Sequence, residues 1–156
     1  MRARRPYSFS DSSIETRPRL DRAFLEYFIS TLTSRSQESD FETFARRLCE
    51  GEVCPNLLPH TGPTGGGDSK VDSETYPVSL DIADAWYVGE ARAAATERWA
   101  FAFSAKADWR SKLRSDVDAM AGTGRGYARY YFVTSKYVPD RTRSTLEDDY
   151  RTNKTL

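Results

Sequence analysis

Hydrophobic residues recur at helical spacing in Leu20, Phe24, Leu25, Phe28, Ile29 and Leu32, which predicts an amphipathic helix from Arg19 to Thr33. The polar stretch Ser34–Glu38 leads to Ser39 or Asp40 as the expected N-cap of a second helix, marked by Phe41, Phe44, Ala45 and Leu48 and stopping near Gly51. Residues 1–18 are rich in Ser, Arg and Pro, have no period, and read as an extended lead-in. Pro55, Pro59, Pro63 and the glycines at 62 and 65–67 exclude regular structure until Val71. From Val71 to Leu80 the pattern is strand-like. Between Asp81 and Thr96 it is divided: Trp86-Tyr87-Val88 suits a strand, and the alanines at 91 and 93–95 suit a short helix.

The clearest signal is Trp99–Ala105, apolar or small throughout and alternating alanine with aromatic residues, as in a central strand covered on both faces. Asp108 then caps a helix with Trp109, Leu113, Val117 and Met120 as its buried stripe and Arg110, Lys112 and Arg114 outside. Gly122 and Gly124 end that helix, Tyr127–Val133 forms a second buried strand, Tyr137–Asp140 a turn and Arg141–Tyr150 a polar helix. A strand, a helix and a strand in succession imply a crossover between parallel neighbours. The expected class is α/β, or α+β, with a central mixed sheet flanked by helices and two helices ahead of it.

A chain of 156 residues fits one domain, so residues 19–156 are read as a single unit. Lys plus Arg equals Asp plus Glu at 23 each, so any nucleic-acid partner must be met by a local basic patch rather than a global field. Cys49 and Cys54 lack the spacing of a CxxC pair, and with the single His60 they make an irregular zinc set. Reduced structural thiols in a cytoplasmic setting are the better reading. No apolar run is long enough for a membrane span, and the basic start has no apolar segment after it, so no secretory signal is expected.

The chemistry concentrates in two stretches. Gly65–Asp72 lets the backbone approach a ligand and delivers Asp72 at the start of an extended segment, while Trp99–Ala105 ends in Lys106. A carboxylate and a lysine on neighbouring strands can hold a hard divalent cation and place a water beside a phosphate. Glu74, two residues beyond Asp72, shares its strand face. The glycine run lacks the Gly-Lys-Ser/Thr ending of a nucleotide-binding P-loop. Gly122-x-Gly124-x-Gly126 follows a helix, where a dinucleotide fingerprint follows a strand.

Phe41-Glu42, the run Thr61–Asp68 leading to Val71-Asp72, and Phe103-Ser104-Ala105-Lys106 come in the order of the PD-(D/E)xK nucleases, and the chain resembles their Mrr-like restriction-endonuclease branch. The longer run Glu97–Lys106 is similar to nuclease modules at the N-terminus of bacterial anti-phage defence NTPases. The resemblance implies a deoxyribonuclease dependent on Mg²⁺ or Mn²⁺ and acting on double-stranded DNA, one module of a longer protein and a homo-oligomer in that context. It makes Asp72 the metal-binding aspartate, Lys106 the catalytic lysine, Glu42 the supporting helix acid, and the Ala105 carbonyl a further metal ligand. Arg110, Lys112, Arg114 and Arg125 would meet the DNA backbone. Ser104 departs from the pattern, which usually has an acid or Gln there, so weak metal affinity is expected. Ser39-x-x-Glu42 equally fits a capping box. Arg125–Phe132 matches an RNA-binding strand motif, which makes an RNA-binding module the alternative, beside a nuclease-like domain that only associates with other proteins.

Overall fold

The computed structural model describes residues 20–58, 71–87 and 89–154. The lead-in before residue 20, His60 and the glycine run up to Lys70 lie outside the described residues. The class is α+β. Helix α1 (Arg22–Thr31) starts at Asp21, whose carboxylate accepts the Ala23 and Phe24 N–H groups at 2.8 and 3.3 Å. A 3₁₀ turn at Thr33–Arg35 leads to α2 (Glu38–Glu52), and β1 is only Ser73–Glu74. After it come α3 (Leu80–Trp86), a 3₁₀ stretch at Gly89–Ala95, β2 (Trp99–Ser104), α4 (Trp109–Ala121), β3 (Arg129–Thr134) and α5 (Asp140–Lys154).

The sheet runs β1-β2-β3, with β1 antiparallel and β3 parallel to the central β2. An antiparallel bridge from Leu57 to Thr75 extends it beyond β1. As expected, β2 is buried at every position. The alternation of its side chains makes two unlike faces. Trp99, Phe101 and Phe103 pack with Phe41, Ala45 and Cys49 of α2. Ala100 packs with Val71 and Met120 on the α4 side, and Trp109, Leu113 and Val117 of α4 continue that layer over Tyr130 and Phe132 of β3 toward Leu146 and Tyr150 of α5.

Several boundaries differ from those expected. The N-cap of α2 is Gln37, so Ser39 and Asp40 stand inside the first turn, and the Ser39–Glu42 capping box does not form. The helix runs through Gly51 to Glu52. Val71–Leu80 contributes two strand residues and a bridge before α3 begins, because Pro77 interrupts the run and Ser79 starts the helix. Trp86 therefore ends a helix rather than forming a strand. Gly122 caps α4 in a right-handed conformation (φ −69°), and the turn into β3 is made by Gly124 and Gly126 at φ 62° and 67°. β3 lies at one end of the described sheet and is half-buried along its length, less covered than the buried strand expected there.

Candidate functional site

Asp72 immediately precedes β1, at the point where the edge of β2 runs on past its partner. Its N–H donates to the Phe101 carbonyl at 2.9 Å, and its Oδ2 accepts the Phe103 N–H at 2.7 Å. The carboxylate thus takes the place of the next rung of the ladder and is fixed beside the end of β2. Directly beyond, Ser104 is buried, its Oγ accepting the Lys106 N–H at 3.3 Å. The buried Ala105 presents its carbonyl to Thr33 Oγ1 at 3.2 Å, which ties the strand end to the turn between α1 and α2. Lys106 is exposed. The fold therefore brings Asp72 to the edge of the strand that ends in Ser104, Ala105 and Lys106. These residues lie at the carboxyl end of a strand with a parallel neighbour, where open sheets with helical crossovers place their ligands.

Glu42 is half-buried on α2, next to Phe41, on the helix that covers the aromatic face of β2. Ser104 shares the opposite face with Ala100 and Ala102 by strand alternation. Among the described residues, no three His, Cys, Asp or Glu side chains converge as a metal-holding group. Glu74 is drawn into a structural network. It pairs with Arg98 at 2.9 Å and Arg125 at 3.6 Å and accepts the Tyr127 hydroxyl at 2.5 Å. Burial pushes its pKa up, but the hydrogen bonds from Tyr127 and Arg98 and the charges of Arg98 and Arg125 outweigh this and leave it below the ordinary glutamate value.

The basic residues expected to meet phosphate divide. Arg125 is held by Glu74, and Lys112 by Asp116 at 2.6 Å. Arg110 lies 4.8 Å over the Trp109 ring, and Arg114 is exposed. Arg129 sits over Trp99 and pairs with Glu90 at 2.7 Å and Glu97 at 3.7 Å. Of the α4 set, Lys112 is ion-paired, whereas Arg110 and Arg114 lie near enough to the Asp108 carboxylate to help its Ser111 hydrogen bonds hold its pKa below the ordinary value.

The residue missed in the sequence is Asp116. It lies inside the apolar stripe of α4, three residues after Leu113 and four before Met120, and is only 8% exposed. That placement was the signal, since a carboxylate at a core-facing helix position needs a partner. Lys112 satisfies Oδ1, while Oδ2 and the Tyr130 hydroxyl are both buried without a hydrogen-bond partner. Burial, then the negative charges of Asp116 and Asp72, push the Tyr130 phenol up, so it stays protonated. Sequence reading also placed Cys49 and Cys54 as reduced thiols. Both are free and buried, and burial pushes them up to about 11 and about 12.

The strand with the RNA-binding pattern offers no open aromatic platform. Tyr131 stacks on Phe101 at 4.8 Å, while Tyr130 and Phe132 pack under α4. In comparisons with family models, curated proteins and solved structures, nothing matches the chain.

Proposed function

We propose that the chain is a metal-dependent endonuclease domain that hydrolyses phosphodiesters of double-stranded DNA, built on a restriction-endonuclease-like core and serving as an effector in bacterial defence. The observation that carries this reading is the anchoring of Asp72 Oδ2 on the Phe103 N–H, 2.7 Å away, at the edge of the strand that ends in Ser104, Ala105 and Lys106. The antiparallel β1-β2 pair followed by the α4 crossover to parallel β3 supports it.

The donors suit a hard divalent cation. Asp72 and the Ala105 carbonyl offer oxygen ligands, Glu42 would support them, and Asp116 holds a buried carboxylate oxygen that the protein leaves unsatisfied. A bound Mg²⁺ or Mn²⁺ supplies charge neutralisation at the phosphate and a water that deprotonates more readily. The protein's own groups do the rest. Lys106, on the exposed strand end, offsets negative charge gathering on the phosphate and holds the attacking water. Ser104 accepts the Lys106 N–H and so sets the turn from which that lysine projects. Arg110 and Arg114 on the exposed flank of α4 meet the DNA backbone.

Supercoiled plasmid incubated with the protein and Mg²⁺, Mn²⁺ or EDTA tests the reading. Nicked or linear product with either metal and none with EDTA is expected, with Mn²⁺ at least as effective as Mg²⁺. Intact plasmid under all three conditions contradicts it. The second reading, a nuclease-like domain used only for association, is favoured by α1, which buries no residue and exposes Phe24 and Tyr27. It predicts intact plasmid together with self-association in sedimentation.

A further inference from the structure

Resting on the nuclease reading, we propose that Asp116 is a ligand of the same divalent cation as Asp72, and that α4 thereby supplies the carboxylate that Ser104 does not.

Three observations lead there. First, Asp116 Oδ2 is a buried anionic oxygen with no hydrogen-bond partner, and the Tyr130 hydroxyl is a second orphan close enough to feel its charge. A buried carboxylate oxygen left unmatched is costly, so it persists where a further group meets it. Second, the packing of α4 gives the direction. Val117 lies with Leu113 and Trp109 toward β3 and α5, and Met120 lies against Val71 at the β1 side. Asp116 belongs to the buried face of α4 and lies one turn before Met120 on it. The register Ser73↔Phe101 and Glu74↔Ala100 puts Asp72 on the same face of the sheet as Ala100 and Ala102, the face that α4 covers. The raised Tyr130 phenol, which feels the charges of both Asp116 and Asp72, agrees with this placement. Third, the residues that β2 turns toward α4 are the small Ala100 and Ala102, followed by the polar Ser104.

Lys112 fits this arrangement as an orienting group rather than a competitor. It occupies Oδ1 at 2.6 Å and leaves Oδ2 to turn toward the cation, as outer hydrogen bonds do for other ligating carboxylates. The protonated Tyr130 hydroxyl is then a donor to Asp116 or to a water held by the ion.

The test uses Mn²⁺ alone, with no DNA. In the wild-type protein, substoichiometric Mn²⁺ should broaden the NMR signals of Asp116 and Tyr130 together with those of Asp72, ahead of residues on α2. Asp116→Asn, checked for a normal melt, should weaken Mn²⁺ binding measured by the EPR signal of the free ion by about tenfold or more. Early loss of the Asp72 signals with Asp116 unaffected, or an Asn variant that binds Mn²⁺ like wild type, overturns the proposal and leaves the nuclease reading standing. No selective broadening and no Mn²⁺ bound by the wild type overturns both.

Discussion

On the α2 side of β2 the side chains are Trp99, Phe101 and Phe103, which close against Phe41, Ala45 and Cys49, with Tyr131 stacked on Phe101 and tilted against Trp99. On the α4 side the same strand shows Ala100, Ala102 and Ser104, and the layer above holds Asp116 and Tyr130 with unmatched buried oxygens. Every residue of one strand is buried, yet it turns large aromatic side chains to one face and only Ala100, Ala102 and Ser104 to the other, where the apolar layer of α4 includes a carboxylate. The difference teaches that burial in this fold serves two ends. The α2 face supplies stability through apolar area, and the α4 face is where the proposed site has its charged groups.

The contrast can be broken with substitutions on either face. Phe101→Ala removes a fully buried ring and should cost about 3–5 kcal/mol in urea unfolding, a large share of the stability of a domain this size. Ala102→Leu on the other face should cost about 1–3 kcal/mol through overpacking beneath α4, and unlike Phe101→Ala it should also disturb Mn²⁺ binding. If the two variants lose stability and metal binding in equal proportion, the faces are not functionally distinct.

Titration sharpens the comparison. Cys49 and Cys54 on the α2 side hold their protons up to about 11 and about 12, above the thiol value of an unfolded chain near 8.5. Raised pKa values of this kind stabilise the fold fully below the unfolded value. That stabilisation is lost as pH climbs from about 8.5 through the folded values. Unfolding by urea should therefore become easier across that window, and native thiols should resist iodoacetamide at pH 8. Rapid modification of either cysteine without unfolding would contradict the packing described. The smallest effect is at Glu74, whose folded pKa lies below its ordinary value. Its contribution is present above the unfolded glutamate value near 4.3 and fades as pH falls through the folded one. Tyr127→Phe should cost about 1.5 kcal/mol at neutral pH and progressively less as acid protonates Glu74. A pH-independent cost would show that the Tyr127 hydroxyl bond is not to the carboxylate.

Much of this arrangement was legible in the sequence because it depends on local rules. The alternation in Trp99–Ser104 marked the central strand, and Asp108 with the stripe Trp109, Leu113, Val117 and Met120 marked α4 and the crossover to a parallel neighbour. What local rules could not give was pairing. Asp72 was legible as a strand-start acid, but its bond to the Phe103 N–H depends on where β1 begins. Ser39 has the chemistry of an N-cap, yet the helix begins at Glu38 with Gln37 in the cap position. Lys112 and Arg125 looked like free cations, and each meets a carboxylate on the folded chain. Asp116 was visible as a charge in an apolar stripe, but only the packing of α4 shows that it is buried and paired with Lys112.

The most direct measurement is on Asp72→Asn, which keeps shape and removes one negative charge beside the end of β2. An asparagine oxygen can still accept the Phe103 N–H, so the melting curve should be close to wild type. Binding of DNA should be equal or slightly tighter, since phosphate affinity comes from cations and an anion has been removed. Metal-dependent plasmid cleavage should fall by several orders of magnitude, each decade being about 1.4 kcal/mol of lost transition-state stabilisation. A variant that melts normally, binds DNA normally and cuts at the wild-type rate would make Asp72 a ladder-capping residue and contradict the account.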